Sequence, residues 1–114
     1  MAFSMKAGDT KNIYFTIRDV PGNVIDLSDA QSIRWWASRG TLEAFSRTPI
    51  LQKSLTSGIE EVALIDGEFV VRIVPADTQG LNGTYYFEVE VTDAFGNVST
   101  PIFDTFTVMK DLIR

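Results

Sequence analysis

The chain has 114 residues, 15 acidic and 10 basic side chains, a net charge of -5, and neither cysteine nor histidine. That length suits one domain, taken as 1–114, with one ordinary core. The missing His and Cys remove Ser-His-Asp triads, thiol nucleophiles, disulfides and nearly all zinc or transition-metal sites.

Period-two alternation in short runs, separated by Gly, Pro, Asn and Asp clusters, dominates the chain. The opening MAFSMKAGDT is too short and polar for a secretion signal and reads as an arm before a core spanning about 8–109. KNIYFTIR places Ile13, Phe15 and Ile17 on one face of a first strand. DVPGN turns the chain, and VIDLSDAQ reads as a short edge segment bent at Ser28-Asp29. SIRWWAS turns Ile33, Trp35 and Ala37 inward on a second strand; a helical turn is plausible at Leu42 to Ser46, and PILQKSL is a third strand. In EEVALIDGEFVVRIV, Asp66-Gly67 suits a two-residue type I′ hairpin whose second arm faces Phe69, Val71 and Ile73 inward. A second helical turn is plausible at Ala76 to Gln79, and Tyr85–Asp93 with Ile102–Met109 forms the last hairpin across AFGN. Seven short antiparallel strands predict an all-β, immunoglobulin-like Greek-key β-sandwich.

The most patterned stretch is PADTQGLNGTYYFEVEVTD, Pro75 to Asp93. Leu81 as an apolar anchor, Gly83 for a sharp bend and Tyr85 at the start of the next strand predict a tyrosine corner, where the phenol satisfies backbone groups as the chain crosses between sheets. Parity turns Tyr85, Phe87, Val89 and Val91 inward and Tyr86, Glu88 and Glu90 outward.

Gly8-Asp9-Thr10, Val24 to Ser28, GEFVVRIVPADTQGL, GTYYFEVEVTDAFGNV and the closing DTFTV together resemble small immunoglobulin-like structural proteins of tailed bacteriophages. Notable among these is the N-terminal domain of phage baseplate upper proteins, which the chain resembles. The resemblance covers Gly8 to Val108, rests on structural motifs, and carries no catalytic residues or cofactor. It implies a non-enzymatic virion component binding capsid, neck or tail subunits in many copies. The ten basic residues are scattered and form no stripe for nucleic acid or an anionic membrane, and the lack of a secretion signal leads us to expect synthesis in the host cytoplasm. The loop SRGTLEAFSRTP is longer than the turn such domains show there, and antibody-type hallmarks are missing.

Several residues are candidates for partner binding. In the loop Arg39 to Pro49, Leu42 and Phe45 lie three apart beside Arg39, and they either dock a partner or plug one end of the sandwich. Trp36 and Tyr86 point outward by parity, as do Tyr14 and Phe103; exposed Trp and Tyr clusters are typical of interface hot spots. Phe3 and Leu112 mark apolar arms that latch onto a neighbour or fray, and Phe95 tips the last hairpin. Glu88 and Glu90 share a strand face but have no desolvated pocket to split their acidities. Calcium is conceivable at Asp26/Asp29 or Asp93/Asn97, without EF-hand spacing. The alternative function is a carbohydrate-binding or adhesive module in which Trp36, Tyr86 or Phe95 stacks on sugars.

Overall fold

The computed structural model describes residues 2–113. Its strands are β1 (Phe3–Lys6), β2 (Lys11–Thr16), β3 (Ser32–Arg39), β4 (Leu51–Leu55), β5 (Gly58–Ala63), β6 (Glu68–Ile73), β7 (Gly83–Thr92) and β8 (Val98–Met109). They form one eight-stranded sheet in the order β1-β8-β7-β3-β4-β5-β6-β2. The sheet is mixed: β1 runs parallel to β8 and β4 parallel to β5, while the other pairings are antiparallel. Seven antiparallel strands is therefore corrected to eight with two parallel contacts. The added strand is β1, whose Phe3↔Phe106 and Met5↔Val108 registers join residues about a hundred positions apart. Such pairing leaves no local signal in the sequence.

The alternating residues build the core as their parity predicts. Ile13, Phe15 and Ile17; Ile33, Trp35 and Ala37; Phe69, Val71 and Ile73; and Tyr85, Phe87, Val89 and Val91 are all buried. The sheet rolls on itself, bringing Phe15 of β2 to 6.1 Å from Phe87 of β7 between ring centroids. Phe3 joins this cluster, stacked on Phe106 at 4.8 Å, so the start of the chain is a core strand and not a free arm.

Between β6 and β7, which have three other strands between them in the sheet order, the chain crosses over through the single-turn helix α1 (Pro75–Thr78). Asp77 Oδ2 accepts the Val74 N–H at 2.8 Å and the Lys53 ammonium of β4 at 2.7 Å. The buried Thr78 hydroxyl accepts the Gly8 N–H at 2.9 Å. Tyr85 then closes the corner: its hydroxyl accepts from the Asn82 N–H at 3.1 Å and lies 3.3 Å from the Asn82 carbonyl, to which it donates. Gly83 makes the bend at φ 123°, and Leu81 packs on the core.

Three local expectations change. Asp66-Gly67 is not a two-residue turn, because a 3-10 turn at Leu64–Asp66 precedes Gly67 at φ 72°. A Cβ there would lie 2.8 Å from both the Ile17 and Ile25 carbonyl oxygens, so only glycine fits. The VIDLSDAQ segment makes no strand; a lone Arg18↔Val24 bridge and the Leu27 N–H to the Leu64 carbonyl at 2.7 Å hold it. Leu42 to Ser46 forms no helical turn, and a Gly40↔Phe45 bridge closes that loop instead.

Candidate functional site

The face built by β3, β7 and β8 gathers most of the outward aromatics. Register sets Trp36 opposite Glu88 and Glu88 opposite Phe103, in one row across three strands. One step along, Ser38 faces Tyr86 and Tyr86 faces Thr105. Neighbouring strands are spaced by about 4.8 Å, so Trp36 and Phe103 stand roughly 10 Å apart across the row. Tyr14 lies on β2, last in the strand order, yet the rolled sheet brings it to the same surface depression as Phe103.

The loop after β3 folds back over this face. Phe45 stacks on Tyr86 with ring centroids 3.9 Å apart and planes inclined by 11°. Tyr86, outward by parity, is consequently buried at 7% exposure, and Ser38 beside it is covered as well. The expectation of an exposed Tyr86 is thus corrected, and the cause is a loop contact that strand parity cannot register. The Tyr86 hydroxyl donates to Glu88 Oε2 at 2.7 Å. Burial, and then the hydrogen bond and charge of Glu88, push the phenol well above its ordinary value. Leu42 does not pack inward over the end of the rolled sheet; it stays about half exposed near the loop tip.

Together these elements enclose a groove of about 340 Å3, lined by Trp36, Phe45, Tyr86 and Pro49 with Arg47 and Glu88 as its charged groups. The Arg34 guanidinium lies 5.0 Å from the Trp36 ring and pairs with Glu90. Trp36 remains 37% exposed. Arg39, outside the groove, hydrogen-bonds the Tyr85 hydroxyl at 3.4 Å and covers its ring, so its first role is at the corner.

The remaining candidates lie elsewhere. Phe95 is 90% exposed on the β7–β8 turn and Leu112 is 99% exposed beyond β8. Phe3 is half-buried against the core cluster, so most of its side chain is already engaged within its own chain rather than held out as a latch. The carboxylates are occupied: Glu90 by Arg34, Glu88 by Tyr86, and Asp26 by the Ser28 hydroxyl and N–H. Asp93 accepts from the Phe95 and Asn97 backbones and from the Asn97 side chain, which holds its carboxyl below the usual range. Among the described residues, no group of three or more acidic side chains is placed to hold a metal. No helix among them is long and apolar enough to cross a membrane. No family model matches the chain, and no curated protein is significantly similar to it.

Proposed function

We propose that the protein is a non-enzymatic structural subunit of a tailed-bacteriophage virion, an immunoglobulin-like accessory module that docks onto capsid, neck or tail proteins in many copies. Two features support the immunoglobulin-like reading. Counting β1 makes β3 the third strand, so Trp35 occupies the central position of a buried Trp on strand C, and Tyr85 forms the corner at the strand after the crossover. The strand order also divides naturally into β1-β8-β7-β3-β4 and β5-β6-β2, joined only by the short Ser54↔Gly58 and Leu55↔Ile59 contacts.

The observation that carries the docking reading is the aromatic face of β3–β7–β8, where Trp36 and Phe45 remain exposed at a groove and Phe103 is exposed in the same strand row as Trp36. Exposed aromatics grouped on one rigid sheet face are the composition of an interface hot spot. Purified virions of the phage whose genome encodes the chain should contain it in many copies per particle, measured by quantitative mass spectrometry. Its absence from them, with the chain abundant in the infected cell, contradicts the reading.

The carbohydrate alternative draws on the same groove, because aromatic walls with Glu88 and Arg47 are also the furniture of a sugar site. Stacking, however, needs an open ring face. Phe45 and Tyr86 take up one face of each other and Arg34 one face of Trp36, which leaves less flat ring area for a sugar than for the edges and loops of a protein partner. Protein docking is therefore the better-supported reading. Glycan-induced shifts of the Trp36 indole signal in NMR would reverse that order.

A further inference from the structure

A second cavity lies away from the aromatic groove, between the 25–30 segment and the β7–β8 turn, and encloses about 500 Å3. Its floor is the buried trio Ile17, Leu27 and Val91; Phe95 and Val98 form an exposed apolar lip. Asp26, Asp29 and Asp93 are its charged lining groups, and no Lys or Arg lines it. The walls are tied together: Gln31 donates its backbone N–H to the Thr92 carbonyl at 2.8 Å and its side-chain amide to the Ala94 carbonyl at 3.1 Å. Ile25 N–H meets the Ile17 carbonyl at 3.0 Å. Hydrogen bonds from Ser28 and Asn97 hold Asp26 and Asp93 below the usual carboxylate range, so both stay ionised at neutral pH. An apolar cleft with a wholly anionic rim suits an apolar segment that carries cations.

The chain itself contains such a segment. Beyond β8, Leu112 and Ile113 are 99% and 90% exposed, and they stand between Lys110 and Arg114 in the sequence. The one acid among them, Asp111, caps its own turn by accepting the Ile113 N–H at 2.8 Å.

The cleft borders the first residues of β8, whereas this segment follows its last. A strand of that length spans roughly 36 Å, while residues 110–114 reach at most about 18 Å when extended. The segment therefore cannot fill its own molecule's cleft. The geometry points to a head-to-tail contact between copies of this chain, in which Leu112 and Ile113 of one copy seat on Ile17, Leu27 and Val91 of the next. Lys110 and Arg114 then meet the carboxylate rim. The two surfaces differ, so the contact is heterologous and builds a ring or an open row. The contact is small and its affinity modest, so association depends on concentration. This inference stands independently of the virion reading.

Sedimentation equilibrium of the full chain tests it through two surface variants, Leu112→Asp in the segment and Val98→Lys at the cleft lip. The wild type should self-associate with rising concentration, and each variant alone should lose at least about tenfold in association constant. Mixed together, the two variants retain one intact segment and one intact cleft, so they should form a 1:1 heterodimer and stop there. Circular dichroism of each variant should match the wild type. A wild type that stays monomeric at its highest soluble concentration, a variant that associates undiminished, or a mixture that stays monomeric each overturns the proposal.

Discussion

Tyr86 carries a phenol that is covered by Phe45 on one side and hydrogen-bonded to Glu88 at its tip. Both effects favour the neutral ring, so the folded-state pKa lies above the unfolded one. Well below pH 10, the ordinary midpoint of tyrosine ionisation, neither state loses the proton and this contribution is fully present. As pH rises past that point the unfolded chain ionises first, and stability falls toward the folded-state pKa. Urea denaturation from pH 9 to 11 should show this decline, and Tyr86→Phe should flatten its slope. A second residue under local constraint is Thr56, the non-glycine with positive φ, at 68° between β4 and β5. Replacing it with glycine relieves a left-handed conformation and should stabilise the fold by about 1 kcal/mol in denaturant titration. At the corner, Tyr85→Phe should cost about 1 kcal/mol through loss of the Asn82 bonds.

At the scale of elements, β1 is the clearest test of how the sheet is assembled. Its Phe3 lies against Phe106 and Phe87, and Ala7 N–H reaches the Met109 carbonyl at 2.9 Å just past the strand. Phe3→Ala should destabilise by roughly 2 kcal/mol, below the usual cost of a fully buried Phe because this side chain is only half buried. A change near zero would mean that the segment frays. Elements with strict alternation were legible in the sequence: Phe69, Val71 and Ile73, or Tyr85 through Val91, carry their own inward parity. The Pro75 break likewise announced α1. What local pattern could not convey was partnership. The parallel edges of β1 with β8 and β4 with β5 depend on residues that meet only after folding, and the 3-10 turn at Leu64 displaced a dipeptide that otherwise suits a tight hairpin. The candidate site divides the same way. Trp36 was legible by parity, whereas the burial of Tyr86 came from Phe45 reaching back across the face.

At the scale of the molecule, one rolled sheet about 44 Å long presents different chemistry in different places. The β3–β7–β8 face is aromatic, the cleft beside the start of β8 is apolar with an acidic rim, and the segment past its end is apolar and basic. On the proposed reading, such separation would let one subunit hold a host structure through its face while meeting like copies end to end. The central claim, docking through the aromatic face, is tested most directly at Trp36, whose side chain lies outside the core cluster and is 37% exposed. A fully desolvated hot-spot Trp is worth about 2 kcal/mol or more to an interface, roughly a thirtyfold change in occupancy at limiting subunit. The decisive measurement is the copy number of Trp36→Ala relative to wild type on purified particles, with both proteins matched in thermal stability. The account predicts a severalfold or greater loss of bound subunit; undiminished incorporation of the variant would contradict it.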